Sequence, residues 1–290
     1  MSAFAPVFLV NGRPGATLSP LDRGFAYGDG VFETLILDGG TLPLWDYHQQ
    51  RLLAGCECLG IPLPLSTLTA HKDQLLALAA RHAVDTGVAK LVVTRGEGGR
   101  GYATPAEPTP TIVAGLYPPP AYPVSHCRTG VQVRVCNQRL GTNPALAGLK
   151  HLNRLENVLA RREWTDTAIA EGLLLDQNGQ VIEATASNVF IVKDAALITP
   201  RLDQCGVAGV ARRIIMEVLV ARLTPPVSPV QEARLSLEML RDADEIFLCN
   251  SVNGIWPVLA VEQWHYPRGP VTAALQQCFE TYLDERRALS

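Results

Sequence analysis

The sequence predicts an α+β protein built as two α/β domains, on three observations. Apolar residues recur at helical spacing over residues 46–60 but alternate at strand spacing over 88–95 and 111–117, so helices and strands are partly segregated along the chain. The run Tyr117-Pro-Pro-Pro-Ala-Tyr-Pro123 can neither continue a helix nor lie in a central strand, and its polyproline character marks a semi-rigid linker. A chain of 290 residues is also long enough for two sizeable cores. The expected division is an N-terminal domain over 1–116, a linker over 117–125 and a C-terminal domain over 126–290.

Residues 4–10 read as a strand that turns at Asn11-Gly12, a hairpin pair. The helix over 46–60 takes Asp46 as its N-cap with Gln49 three residues later. It gathers Leu52, Leu53, Cys56 and Leu59 on one face and stops at Gly60. A second helix is expected over 66–83, then the strands 88–95 and 111–117 around the glycine-rich stretch 96–101. Beyond the linker, 131–136 alternates as a strand and 152–164 reads as a helix. Strands over 173–176 and 181–185 flank the turn Gln177-Asn178-Gly179, and 187–193 and 245–249 read as further strands. A helix opens behind glycines over 209–223, and another closes the chain over 271–287.

Hydrophobic residues make up 47% and charged residues 18%, with a net charge of −3 and no run of like charges. That balance belongs to a globular chain and argues against nucleic-acid or membrane surfaces as partners, while leaving room for a local basic pocket. No apolar stretch approaches the ~18–20 residues that span a bilayer. The first ten residues lack a positively charged start and run into the Asn-Gly turn, which reads against a signal peptide. Seven cysteines, an odd number without metal-type spacing, read as reduced thiols of a cytoplasmic protein with no metal site.

Four signals could carry chemistry. Lys150, flanked by Leu149 and Leu152, is either a partly desolvated nucleophilic amine of the Schiff-base type or a surface lysine whose stem lies along apolar neighbours. Glu183, in an apolar β-prone stretch, is either a buried acid with a cationic partner such as a protonated ring nitrogen, or an outward-facing strand residue. The segment Asp203-Gln-Cys-Gly-Val-Ala-Gly-Val-Ala-Arg-Arg213 leads glycines into a helix, which suits a phosphate and equally suits a plain helix start. Arg51, Arg95, Arg100 and Arg154 sit where forks for carboxylate or phosphate could stand, though any one of them could be a solvated surface residue. Together the four describe an amine, a pyridinium partner, a phosphate cup and carboxylate clamps. Trp45 and Trp256 read first as core, Tyr102 as a pocket residue.

At this point the motifs resemble a known family. Tyr27-Gly-Asp-Gly-Val-Phe-Glu-Thr34, His48-Gln-Gln-Arg51, Lys150, Glu183-Ala-Thr-Ala-Ser-Asn-Val-Phe190 and Pro200-Arg-Leu-Asp-Gln-Cys-Gly-Val-Ala-Gly-Val-Ala-Arg212 are similar, in order and over about residues 7–260, to the fold-type IV pyridoxal-phosphate enzymes. This is the fold of the D-amino-acid aminotransferases. The resemblance implies two α/β domains with pyridoxal 5'-phosphate where they meet, in a homodimer. It implies that Lys150, in the expected C-terminal domain, carries the cofactor covalently and that Glu183 pairs with its ring nitrogen. Arg51, the backbone N–H groups of Val210 and Ala211, and the Ser251 hydroxyl would hold its phosphate. Some relatives carry threonine at position 211; Ala211 keeps the backbone donor and loses the side-chain contact.

The family includes branched-chain and D-amino-acid aminotransferases as well as aminodeoxychorismate lyases. Three local likenesses favour the lyases: the loop Thr94-Arg-Gly-Glu-Gly-Gly-Arg-Gly-Tyr102, the lysine segment from Asn143 to Glu156, and Thr34. The resemblance then implies a dianionic substrate held by Arg100, Arg154 and Tyr102, with Arg95 as a third cation. Lys150 would act as the base and Thr34 would orient a proton and touch the substrate. The implied reaction turns 4-amino-4-deoxychorismate into 4-aminobenzoate and pyruvate, in folate biosynthesis. Transamination of branched-chain L-amino acids or D-amino acids is the alternative.

Overall fold

The computed structural model of the chain describes residues 4–224 and 229–289. The first three residues, part of the N-terminal stretch read above against a signal peptide, lie outside the described residues. Two compact units emerge from the contacts: Met1–Ala121 with Lys150–Asn153 and Leu283–Ser290, and Tyr122–Leu149 with Arg154–Tyr282. The division differs from the expected domains in two ways. The lysine segment and the last turns of the terminal helix belong with the first unit, although both follow the linker in sequence.

The first unit is a five-stranded antiparallel sheet backed by helices. Strands β1 (Val7–Val10) and β2 (Arg13–Pro14) form the hairpin expected at Asn11-Gly12, where both residues take positive φ (48° and 74°) as the tight turn demands. Helix α1 (Arg23–Tyr27) is capped by Asp22, whose carboxylate accepts the Gly24 N–H at 2.8 Å. Strand β3 (Gly30–Leu37) begins inside the motif that ends at Thr34 and runs three residues past it. Helices α2 (Trp45–Leu59) and α3 (Leu65–Arg81) precede β4 (Gly87–Thr94) and β5 (Thr111–Tyr117), and the sheet order is β2-β1-β5-β4-β3. Leu52, Cys56, Leu68, Leu75 and Leu78 of the helices pack on Val31, Leu35, Ala89, Leu91 and Leu116 of the strands. Trp45 also packs against this core, as expected.

One cap differs from expectation. Helix α2 begins behind Leu44 with no side-chain cap, so Asp46 falls in its first turn, where a negative charge still favours the helix dipole. Asp46 pairs instead with Arg286 at 2.6 Å, and Gln49 accepts the Trp45 indole N–H at 2.8 Å. Gly60 ends the helix as expected, at φ 64°.

The second unit holds one large mixed sheet. After α4 (Ser125–Arg128) come β6 (Val131–Leu140), α5 (Leu155–Arg161), β7 (Ile169–Asp176), β8 (Val181–Ala184), β9 (Asn188–Lys193) and β10 (Ala196–Pro200). Then follow α6 (Val210–Ile214), β11 (Gln231–Ala233), α7 (Leu237–Arg241), β12 (Glu245–Asn250), β13 (Gly254–Val261), β14 (Trp264–His265) and α8 (Pro270–Ala288). The strand order is β11-β10-β9-β12-β13-β6-β7-β8, with β14 beside β13. The β6–β7, β6–β13 and β10–β11 pairs are parallel. The strands are buried on both faces, which is why β9 and β12 read as near-continuous apolar runs. Trp256 is buried in this core, as expected.

Strand β6 runs four residues past its predicted end because the Glu163 carboxylate accepts the N–H groups of Asn137 and Gln138, both at 2.8 Å, across an irregular stretch of the pairing. The helix expected over 209–223 begins as α6, widens into a π-helical turn over Ile215–Leu219 and tightens into a 3-10 turn over Val220–Arg222. The helix expected over 152–164 is only α5, because the residues before it bond the edge of β3 instead. Among the described residues no helix is long and apolar enough to cross a membrane.

Candidate active site

Lys150 is fixed by backbone pairing rather than by a helix. Its carbonyl accepts the Phe32 N–H at 2.9 Å, and the Leu152 N–H donates to the Gly30 carbonyl at 3.0 Å, so His151 stands opposite Val31 in an antiparallel bridge. A backbone committed to the edge of β3 is not available to a helix. The Lys150 ammonium lies 4.4 Å from the centre of the Phe32 ring, and the Lys90 ammonium lies 5.2 Å from the same ring. Alternation puts the half-buried Thr34 on the Phe32 face of β3, opposite Lys90 in the neighbouring strand.

The other face of β3 carries an acid that the sequence reading assigned no role. Glu33 stands in phase with Val31, Leu35 and Leu37 and is fully buried. Its carboxylate accepts from Arg51 Nε at 2.7 Å and from Arg51 Nη2, and from His48 Nδ1 at 2.6 Å. Burial pushes the carboxyl up, but the Arg51 charge and then His48 outweigh it and hold Glu33 at about 2. His48 is lowered by burial first. Glu33 opposes that shift, and the Arg51 and Lys150 charges add to it. His48 Nδ1 hydrogen-bonds Glu33, and the buried His48 Nε2 has no hydrogen-bond partner among the described residues. His48 and Arg51, three residues apart on α2, share one helix face. That spacing and the strand phase of Glu33 are the sequence signals that could have found the cluster.

Arg95, expected as a third substrate cation, is instead a structural tie. It is buried and donates to Asp29 at 2.8 and 3.0 Å and to the carbonyls of Leu59 and Gly60 at 2.7 and 2.8 Å. Arg100 and Tyr102 are exposed on the loop that follows, Tyr102 to 86%.

In the second unit Glu183 is a buried residue of β8, and its Oε2 accepts the Val207 N–H at 2.8 Å. Outward-facing placement is thereby excluded. Val207 also stands opposite Gly148, two residues before the lysine, in a parallel bridge. Asn188 clips the next stretch: its Nδ2 donates to the Val207 carbonyl at 2.8 Å and its Oδ1 accepts the Gly209 N–H at 3.1 Å. Helix α6 starts at Gly209 with no side-chain cap, so the first-turn N–H groups of Val210 and Ala211 have no acceptor within the helix. A Cβ at Gly209 would lie 2.0 Å from Asn188 Oδ1, so any other residue would push the Asn188 side chain off its bonds to Val207 and Gly209.

Arg154 donates to the Leu149 carbonyl at 3.0 Å. Burial lowers its pKa, opposed by the charges of Glu183 and Glu156, so its cation faces carboxylates of its own unit. Ser251 begins the turn after β12, where Asn250 Oδ1 accepts the N–H groups of Val252 and Asn253 at 3.0 and 2.7 Å. Asn250 also donates to Ser187 Oγ at 3.1 Å, and Ser187 donates to the buried Glu171 at 3.3 Å. Burial raises the Glu171 carboxyl against the hydrogen bonds of Thr185, Gly172, Ala186 and Ser187.

Fold and residues together define a class. The chain belongs to the amino-transferase class IV family, whose pattern matches residues 30–261. It is similar to an aminodeoxychorismate lyase of Vibrio harveyi, 37% identical over 274 residues that cover 93% of this chain and 98% of that protein. Its fold is similar to the crystal structure of 4-amino-4-deoxychorismate lyase from Pseudomonas aeruginosa, with a TM-score of 0.89, 48% identity, and coverage of 96% of this chain and 100% of that one. A D-alanine aminotransferase of Listeria monocytogenes is 30% identical over 92% of this chain and 91% of its own length.

Proposed function

We propose that the protein is a pyridoxal-phosphate-dependent lyase that converts 4-amino-4-deoxychorismate to 4-aminobenzoate and pyruvate, serving folate biosynthesis. The observation that carries this reading over transamination is the end-to-end likeness to lyases in both sequence and fold, closer than the likeness to the aminotransferase.

The residues present fit the cofactor. They supply a half-buried amine on an apolar ring, a buried carboxylate, a helix start without a side-chain cap at a glycine held against Asn188, and a buried His48 Nε2 that has no hydrogen-bond partner among the described residues, beside Arg51. Lys150 would carry it, Glu183 would hold a proton at its ring nitrogen, and Arg51, Val210, Ala211 and Ser251 would take its phosphate. When bound, pyridoxal phosphate supplies the sink for electrons released at a carbon next to nitrogen. With the group bound, the Lys150 amine would take the proton from that ring carbon. The C–O bond to the enolpyruvyl group would then break, the departing enolpyruvate would take a proton at its methylene carbon to become pyruvate, and the ring would become aromatic, so no oxidant is needed. Thr34, on the Lys150 face of β3, orients the moving proton. Arg100 and Tyr102 take a substrate carboxylate, and Arg154 steadies the Glu183 side because its charge already faces acids.

We place the enzyme in the cytoplasm as a homodimer. Seven free thiols support the first, and exposed Phe25, Leu155 and Val158 support the second. The test is to supply 4-amino-4-deoxychorismate without any keto acid. Repeated turnovers yielding pyruvate and 4-aminobenzoate are expected. Silence there, with turnover of an amino acid once a keto acid is added, would make the protein a transaminase. Lys150→Ala should abolish both turnover and the visible absorbance of the bound cofactor.

A further inference from the structure

Arg23 has no part in the reaction proposed above, yet it is buried and its guanidinium is spent on one loop. Nη1 donates to the carbonyls of Gly101 and Ala103 at 3.1 and 3.3 Å, and Nη2 to the carbonyl of Tyr102 at 3.2 Å. Three successive carbonyls therefore converge on one cation. The remaining Nε donates to Asp29 at 2.8 Å. Asp29 is shared with Arg95, which grips the C-terminal carbonyls of α2. Burial alone would raise the Asp29 carboxyl, but Arg95 and then Arg23 hold it below its usual range.

Contacts around the guanidinium leave the loop little freedom. A Cβ at Gly98 would stand 2.6 Å from Arg23 Cδ, and Gly101 takes φ +78°. Tyr27 lies 5.0 Å from the Arg23 guanidinium, its hydroxyl accepts the Gly101 N–H at 3.2 Å, and its ring meets Tyr102 edge-on at 5.5 Å. The backbone of this loop is thus anchored inward, while Arg100 and Tyr102 point their side chains to solvent.

We propose that Arg23, aided by Tyr27, is a positioning residue for substrate affinity. It fixes the loop so that the Arg100 fork and the Tyr102 ring are presented in one geometry. Preorganising an anion clamp in this way lowers the cost of ordering it when substrate arrives. The proposal rests on the reading of Arg100 and Tyr102 as substrate contacts.

The test uses the holoenzyme with Arg23→Lys, which keeps a cation beside Asp29 and loses the fork. KM for 4-amino-4-deoxychorismate should rise about tenfold, equivalent to ~1.4 kcal/mol, with kcat and cofactor absorbance close to wild type. Tryptic cleavage after Arg100 in the folded protein should quicken by about the same factor, because cleavage follows local opening of the loop. Tyr27→Phe, which removes one exposed acceptor, should move both readouts the same way by roughly two- to threefold. It decides the matter if Arg23→Lys does not fold. Unchanged KM and cleavage, or a joint loss of kcat and cofactor, would overturn the proposal. The cleavage measurement needs no substrate, so a wild-type enzyme inactive as a lyase would sink the functional reading and leave Arg23 to be judged on the loop alone.

Discussion

At the scale of single residues the chemistry depends on where charge is allowed to be buried. Glu33 is the clearest case, an acid in a strand whose neighbours in phase are Val31 and Leu35, kept ionised by Arg51. Glu33→Gln should strand Arg51 and cost about 3–5 kcal/mol of stability, read from chemical denaturation. Its folded value, about 2, lies below its ordinary 4.5. The stabilisation is therefore complete above pH 4.5 and lost as pH falls through about 2, on the order of 3 kcal/mol. Unfolding curves from pH 6 to pH 2.5 should show that loss in the wild type and lack most of it in Glu33→Gln; parallel curves would refute the assignment. The sequence made Lys150 and Glu183 visible because each sits in an apolar run. It misplaced Arg95, because an arginine beside glycines looks the same whether its fork meets substrate or the carbonyls of Leu59 and Gly60.

At the scale of elements, periodicity located α2, α3, β4, β5 and the turn at Gly179, since each is long or carries a turn signal that only one conformation satisfies. It failed where a distant partner decides. Residues 150–153 have helix-compatible side chains, yet the edge of β3 claims their backbone. Strand β3 was obscured by Glu33 at an inward position. At the start of α6 the glycine matters, because a methyl group there would push against the Asn188 side chain. Gly209→Ala should cost about 1–3 kcal/mol. It should also weaken binding of pyridoxal phosphate more than binding of pyridoxal, measured by titration of the apoprotein. Equal weakening of the two would mean that the turn does not hold the phosphate.

At the scale of the whole molecule, neither unit is one continuous piece of chain, a fact no linker composition could reveal. The Pro-rich stretch suggests a simple cut, but the first unit also takes Lys150–Asn153 and Leu283–Ser290. A fragment ending at residue 121 should therefore expose the β3 edge that His151 covers, and such edges recruit other chains. We expect that fragment to associate or precipitate, and light scattering would report it. A monodisperse, cooperatively unfolding fragment would contradict this.

The same edge sets a clock on synthesis. Lys150 leaves the ribosome ~110 residues after β3, a delay of roughly 5–20 s at ~5–20 residues per second. Throughout that interval the nascent first unit carries an unsealed strand, and the peptide that finally seals it is the one bearing Lys150. Covering the β3 edge and placing Lys150 are thus a single folding event, so on the function proposed above a chain whose β3 edge is still open has no lysine in place to take up a cofactor.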